Sequence, residues 1–237
     1  MYLWMKDEFG EKSGFAAAIF YLFAPYHLID LHFRASVAEL IAMAILPFLF
    51  LTTKRFVESS RFMMFFYTSI LFSALIITHQ VAALASLPLV IVYGFSVWVR
   101  NKKRNLKILF LMLFSYLSGT LLMTFYWLPV LAESKYVLYG RIAEIYFHPL
   151  SDFFYSPNKF GLLFQGHYGE LYTSVGYTQW VIVVLGLYII LKKKAQGKEK
   201  HMLTGSLIIF AILFLMMQSF SKPLWDVIPI IKNFQFS

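Results

Sequence analysis

The chain has 237 residues, of which 59% are hydrophobic and 14% are charged, and its mean hydropathy is +0.67. A soluble domain this apolar could not cover its surface with polar groups, and the same composition excludes disorder, a coiled coil and a collagen-like repeat. The absence of cysteine excludes disulfides, thiolate metal sites and cysteine nucleophiles. The formal net charge of +9 would suggest nucleic acid in a soluble protein, so the positions of the charges must be settled first.

Long apolar runs predict an all-α, polytopic bundle of about seven transmembrane helices. A helix needs about 20 residues to cross the hydrocarbon core of a bilayer. We treat residues 1–237 as a single integral membrane domain, and the first span reaches Ile29 if Pro25 bends the helix rather than ending it. The predicted spans are Gly14–Ala24, Val37–Leu51, Phe62–Thr78, Val81–Val99, Leu106–Leu128, Tyr177–Leu191 and Leu203–Met217.

The charges are divided unequally between the two sides of this bundle. Seven spans place residues 1–13, 52–61, 100–105 and 192–202 on one side. These segments and their flanks hold 15 Lys and Arg against five Asp and Glu, while the other side holds six against seven. The positive-inside rule then predicts a cytoplasmic N-terminus and an outer C-terminus. The basic charge therefore indicates topology, and we expect no nucleic-acid partner.

Polar residues that could perform chemistry gather on the predicted outer side, which holds five of the six histidines. If Pro25 begins a short helix, His27, Asp30 and Arg34 share one face and Asp30 can pair with Arg34 at i,i+4. Arginine suits bidentate phosphate contacts, whereas Asp and His suit metal or general-base roles. The alternative is an interfacial helix with a solvated polar face.

Two further polar positions flank the next spans. Ser36 and Glu39 form an S-x-x-E pattern before an apolar run, which predicts a capping box, although a carboxylate near membrane depth is also a functional candidate. His79 lies in the only polar break between two long apolar runs. It either satisfies freed helix ends or serves as a proton carrier or ligand.

A long outer loop is predicted over residues 129–176, just after Tyr126 and Trp127 at the end of a span. Its aromatic density indicates that it packs on the outer surface or stacks on ligands such as sugar rings. Glu133 lies in it close to the membrane. The sequence has no P-loop, GxSxG, HExxH or dinucleotide fingerprint, which argues against a cytoplasmic nucleotide-using enzyme. Four other polar residues of the loop are too scattered for metal spacing: His148, Asp152, His167 and Glu170.

Several segments together resemble a known family. The stretch from Tyr21 to Arg34, followed by Ala38-Glu39 and Leu46-Pro47, resembles the prokaryotic multi-pass membrane proteins labelled 6-pyruvoyl-tetrahydropterin synthase-related. Further similar segments run along nearly the whole chain: Thr78-His79, Phe125 to Pro129 with Glu133, Pro149 to Asp152, and Ile228-Pro229 to Phe236. Nothing in the chain resembles a soluble pterin synthase.

That family in turn resembles the GT-C glycosyltransferases. The resemblance implies a cell-membrane enzyme that takes a sugar from a polyprenyl-phosphate donor on the outer face, with an acidic residue in the first outer loop. Family members are usually longer at both ends, so it also implies a partial chain. The first outer loop is then expected upstream, and Asp30 does not inherit its role.

These observations lead to a hypothesis of sugar transfer from a lipid-phosphate donor at the outer face. Arg34 would contact phosphate, Asp30 and Glu39 would be bases or metal ligands, and His79 would assist. The cofactor is undefined, although such ligands are compatible with a divalent metal, and the expected partners are membrane lipid and a polyprenyl-phosphate-linked sugar. Alternatives are a transporter or flippase of lipid-linked glycan, for which the spans hold few polar residues, and a non-catalytic scaffold. The candidate substrate-binding residues are His27, Tyr126, Trp127 and Glu133.

Overall fold

The computed structural model describes residues 1–101, 105–133, 153 and 177–223, and within these ranges all regular secondary structure is helical. The prediction of an all-α chain is therefore confirmed for the described part. Short helical turns lie at Asp30–Arg34, which is π-helical, and at Ser219–Ser221, which is a 3₁₀ turn. The α-helices are α1 (Tyr2–Phe9), α2 (Glu11–Leu22), α3 (Pro25–Ile29), α4 (Val37–Ser59), α5 (Phe62–Thr78), α6 (Gln80–Arg100), α7 (Leu106–Leu122), α8 (Thr124–Glu133), α9 (Tyr177–Leu191) and α10 (Gly197–Met216).

Three of these helices, α4, α6 and α10, are long and apolar enough to cross a membrane. Counting two interrupted helix pairs as one span each, α2 with α3 and α7 with α8, gives up to five. Each of the seven apolar runs coincides with helix, but α5 and part of α9 (Gln179–Leu191) are shorter apolar helices. The structure therefore supports several spans and does not confirm a count of seven.

The structure corrects the ends of several predicted spans. The helix expected to end at Leu51 continues to Ser59, because Thr53 and Lys54 are buried against neighbouring helices. The span expected to reach Leu128 ends at Leu122, and α8 leaves at an angle of 67°. That break is stabilised by the Trp127 indole, whose Nε1 donates to the Thr120 carbonyl at 2.8 Å. Two other helices begin earlier than predicted, α2 at Glu11 and α10 at Gly197.

The chain divides into two compact units, and each is described here by itself. The first comprises residues 1–22 and 35–138, and the second comprises residues 23–34 and 139–237. In the first unit, short links join α4, α5, α6 and α7, so consecutive helices run antiparallel. The start of α4 and the α5–α6 turn consequently lie at one end, which we call the Glu39 end. The end of α4 and the end of α6 lie at the other, the Lys54 end.

Helices α5 and α7 approach closely because small residues face each other. The Ser69 hydroxyl donates to the Ser115 carbonyl, and the Ser73 hydroxyl donates to the Gly119 carbonyl, both at 2.9 Å. A Cβ placed on Gly119 would lie only 2.7 Å from the Ser69 carbonyl oxygen. Such small-residue interfaces with side-chain hydrogen bonds are typical of helix association in membranes.

The second unit is built around α9 and α10. The Trp180 ring packs edge-on against Phe210 and Phe214 at centroid distances of 5.6 and 5.5 Å, and its Nε1 donates to the Phe153 carbonyl at 3.0 Å. Many large apolar side chains of both units are exposed, Phe110 and Leu191 among them. Water would disfavour such surfaces, whereas lipid chains would not.

Candidate functional site

A buried carboxylate and an imidazole meet at the Glu39 end of the first unit. Glu39 lies in the first turn of α4 and is only 7% exposed. Its Oε1 is 3.8 Å from Nε2 of His79, which is the residue between α5 and α6. The distance is within ion-pair range and longer than a direct hydrogen bond. The two residues are 40 positions apart, so only the antiparallel packing of α4 beside the α5–α6 turn brings them together.

His79 has a structural role as well as this contact. Its Nδ1 accepts a hydrogen bond from the backbone N–H of Ala82 at 3.0 Å and so caps the start of α6. Because Nδ1 accepts, a neutral imidazole carries its proton on Nε2, the nitrogen nearest Glu39. The sequence left open whether His79 is a cap or a functional group. In the structure Nδ1 caps helix α6, while Nε2 faces Glu39 and is the nitrogen available for a functional role.

The predicted capping box is wrong at its first member. Ser36 does occupy the N-cap position of α4, but its hydroxyl makes no capping hydrogen bond to the helix. The backbone there is irregular, because Ala35 has a φ of +49° and its carbonyl accepts from the Val37 N–H at 3.0 Å. This local turn gives Ser36 a conformation unlike the extended backbone of a typical N-cap.

In the second unit, Pro25 begins α3 as predicted, and the chain continues as the π-helical turn that carries Asp30 and Arg34. Asp30 is fully buried, and its Oδ1 accepts a hydrogen bond from Nη1 of Arg34 at 2.9 Å. The same nitrogen donates to the Tyr26 hydroxyl at 2.9 Å, with the guanidinium over the Tyr26 ring. The predicted i,i+4 pair is therefore confirmed, and it is anchored by a buried carboxylate. His27, on α3, is half-buried.

The remaining site candidates lie on α8 or beyond the described residues. Tyr126 and Trp127 are half-buried, and the Trp127 indole N–H is engaged in the bend after α7. Glu133 is exposed at the last position of α8. Among the residues that the structure describes, no group of three or more His, Asp or Glu side chains could hold a metal ion. The other polar candidates of the long loop lie outside the described ranges: His148, Asp152, His167 and Glu170.

A second charged cluster, missed in the sequence, lies at the Lys54 end of the first unit. Lys54 is 4% exposed, and its Nζ donates to Asp7 Oδ2 at 2.5 Å and to the Asp7 carbonyl at 2.7 Å. The buried Glu8 accepts a hydrogen bond from the Tyr93 hydroxyl and lies 3.9 Å from Lys54 and 3.8 Å from Arg100. We call these residues, with Arg55 and Glu58, the α1 network; Arg55 donates to Asp7 and Glu58 lies 3.8 Å from Lys54.

The sequence carried a partial signal for this cluster. From the sequence alone, the charges of residues 1–13 and 52–61 are predicted to lie in loops and to indicate only topology. Yet Asp7 and Glu8 are acids within a strongly basic side, and Lys54 follows the apolar run that ends at Leu51 after only two threonines. An acidic pair and a lysine at the ends of two predicted segments are a reason to test for a buried ion pair.

Comparison with known proteins supports the family-level prediction. The sequence model of the family described as "6-pyruvoyl-tetrahydropterin synthase related domain; membrane protein" matches residues 1–236. No curated protein and no solved structure gives a significant match. The family match covers both units and every described candidate residue. The chain therefore belongs to the 6-pyruvoyl-tetrahydropterin synthase related family of membrane proteins.

Proposed function

We propose that the chain acts as a GT-C-like membrane glycosyltransferase, which transfers a sugar from a polyprenyl-phosphate donor to an acceptor hydroxyl at the outer face. The observation that carries the proposal is the Glu39–His79 pair. A carboxylate buried to this degree in an apolar bundle is costly, and an ionisable group at such a position is a functional candidate by default. The positive-inside charge distribution supports an outer location for the Glu39 end.

In this proposal Glu39 is the general base. It takes the proton of the acceptor hydroxyl while the hydroxyl oxygen forms a bond to the anomeric carbon of the donor sugar. The bond between that carbon and the phosphate oxygen breaks, and the polyprenyl phosphate leaves with the electron pair. The N-terminus of α4 favours negative charge on Glu39, and the Nε2 of His79 lies 3.8 Å from the carboxylate, close enough to hydrogen-bond to it after a small movement.

Arg34 is proposed to contact the donor phosphate. Its guanidinium is tied to Asp30 through Nη1, and its side chain retains 32% of its exposure. Arginine binds phosphate through several N–H groups at once, and one of them can remain on Asp30 while others bind the ligand. Asp30 then acts by holding the guanidinium in place.

The test is a transfer assay in membranes that contain the full-length protein, with a panel of labelled polyprenyl-phosphate monosaccharides. We expect Glu39→Gln to lower the transfer rate by about 10²- to 10⁴-fold, the usual contribution of a general base. Arg34→Gln should raise the donor concentration needed for half-maximal rate. Glu11→Gln is the matched control, because Glu11 is an exposed acid bound to Lys6.

Undiminished transfer in Glu39→Gln, Asp30→Asn and Arg34→Gln would contradict the assignment of these residues to the active site. Movement of lipid-linked glycan across proteoliposomes without any transfer would replace the enzyme by a transporter. A scaffold predicts that neither activity is found and that all three substitutions are tolerated.

A further inference from the structure

The two charged clusters of the first unit lie on the same pair of helices. Helix α4 carries Glu39 in its first turn and Lys54 in its second half, and α6 is capped by His79 and carries Tyr93 near its other end. Fifteen residues separate Glu39 from Lys54, which corresponds to about 22 Å along a helix. The spacing of α4 and α6 at the Lys54 end therefore bears on the geometry of Glu39 and His79.

Each of the two helices contains a proline between its two polar positions. Pro47 lies between Glu39 and Lys54, and Pro88 lies between His79 and Tyr93. A proline inside a helix removes one backbone hydrogen bond and bends the helix. The direction of each outer half is consequently set by what holds the helix ends as well as by the helix itself.

Helix α1 holds the Lys54 end. The Trp4 ring stacks on Phe50 of α4 at a centroid distance of 4.4 Å, and its Nε1 donates to the Tyr93 hydroxyl of α6 at 2.8 Å. Glu8 accepts from the same hydroxyl, and its other carboxylate oxygen lies 3.9 Å from Lys54. Through Trp4 and Glu8, α1 thus contacts both helices at one level.

We infer that Glu8 is a positioning residue for the Glu39–His79 pair, which it sets by fixing the distance between α4 and α6 at the Lys54 end. The α1 network contains three carboxylates and three cations, so its charge is balanced. The carboxylates are Asp7, Glu8 and Glu58, and the cations are Lys54, Arg55 and Arg100. Removal of one buried member leaves an uncompensated charge, and we expect a shift of α1, α4 or α6 to relieve it. The inference concerns the geometry of the pair and holds whatever chemistry the pair performs.

The experiment measures how fast diethyl pyrocarbonate modifies His79 in the purified full chain at constant pH, with the His79 peptide followed by mass spectrometry. In the wild type the imidazole is half-buried and has one nitrogen on Ala82 and the other facing Glu39, which slows the reaction. Glu8→Gln is expected to raise the modification rate several-fold. Glu11→Gln, an equal change of charge at an exposed site, should leave it unchanged.

A second pair of variants repeats the comparison on α4. Lys54→Met removes a buried cation of the network, while Arg55→Met removes the next, half-exposed one. We expect only Lys54→Met to raise the rate at His79. Combining Glu8→Gln with Lys54→Met removes one charge of each sign and should restore slow modification. This comparison also decides the question if Glu8→Gln alone does not fold.

A general loss of stability must be separated from positioning. Val57→Ala makes a cavity beside the same end of α4, where Val57 is fully buried, without a change of charge. Its thermal midpoint is compared with that of Glu8→Gln, and both are labelled well below their midpoints. An equal increase at His79 in Val57→Ala, or no increase in Glu8→Gln, overturns the inference. An increase confined to Glu8→Gln and Lys54→Met supports it, irrespective of any sugar-transfer activity.

Discussion

The described part of the chain buries three carboxylates, and each has a different partner type. Asp30 meets a guanidinium, Glu39 meets an imidazole, and Glu8 meets a phenol with cations nearby. Burying a carboxylate without such partners would cost several kcal/mol. The fold therefore places a polar or cationic partner beside each of these buried acids.

How far these contacts were predictable depends on sequence separation. Asp30 and Arg34 are four residues apart, so helix geometry alone predicts their pairing. Glu39 and His79 are 40 residues apart, and Glu8 and Tyr93 are 85 apart. Their contacts depend on which faces of α4, α6 and α1 meet. The apolar pattern does not specify those faces, because lipid-facing and buried positions are both hydrophobic.

The contribution of Asp7 to the stability of the fold is predicted to depend on pH. Partial burial acts to raise the pKa of Asp7, but hydrogen bonds and attraction from Lys54 and Arg55 outweigh burial and hold the pKa below its usual value. A carboxyl whose folded-state pKa is depressed contributes stability above its unfolded pKa of about 3.9, and that contribution is lost as pH falls through the folded value.

Asp7→Asn should therefore lower the free energy of unfolding at pH 7 by a few tenths to about 1 kcal/mol, the range of a partly exposed ion pair. The difference from wild type should shrink at pH 3. Unfolding in detergent at the two pH values measures it, with Glu199→Gln, at an exposed acid of α10, as control. A difference that is the same at both pH values would show that Lys54 and Arg55 do not act on the Asp7 charge.

At the scale of elements, hydrophobic runs located the helices well but did not set their ends. Helix α5 has the predicted bounds, since Arg61 precedes it and His79 follows it and no apolar residue extends the run. Helix α7 ends six residues early, because the sequence stays predominantly apolar on both sides of the break at Met123. The break is stabilised by a hydrogen bond from the Trp127 indole to the Thr120 carbonyl. The hydrophobicity of the sequence does not predict such a side-chain contact.

The α5–α7 contact predicts opposite effects for two equivalent glycine substitutions. Gly119→Ala places a Cβ 2.7 Å from the Ser69 carbonyl oxygen, so α5 and α7 must separate and their serine hydrogen bonds weaken. We expect a loss of about 1–3 kcal/mol in the free energy of unfolding, as for overpacked cores. Gly205→Ala in α10 meets nothing within 4 Å and should stabilise by up to about 1 kcal/mol through helix propensity.

Thermal or denaturant unfolding in one detergent compares the two variants directly. Gly119→Ser, which adds a hydroxyl to the same Cβ, should destabilise at least as much as Gly119→Ala. Equal effects of Gly119→Ala and Gly205→Ala would mean that the α5–α7 distance is set elsewhere, and that the serine hydrogen bonds tolerate a wider separation.

At the scale of the whole molecule, the surplus of basic residues predicts the orientation of the chain in the membrane. The α1 network leaves that surplus unchanged at the Lys54 end, because Asp7, Glu8 and Glu58 face an equal number of cations. The lysines and arginines outside this network still outnumber acids in the same segments. The burial of some charges therefore leaves the predicted orientation unchanged, because paired charges of opposite sign cancel in the count.

The orientation can be tested cleanly because the chain contains no cysteine. Single cysteines are introduced by Ser59→Cys at the end of α4, Gln196→Cys before α10 and Glu133→Cys at the end of α8, all exposed positions. A membrane-impermeant maleimide is applied to intact cells and to permeabilised cells. We expect Glu133→Cys to react in intact cells and the other two to react only after permeabilisation. The reverse pattern would place the Glu39–His79 pair on the cytoplasmic side, where a donor presented at the outer face could not reach it.

The cysteine-free parent protein sets the background of the labelling. If Gln196→Cys is labelled in intact cells, as Glu133→Cys is, the two positions lie on the same side of the membrane. The number of spans between them is then even rather than odd.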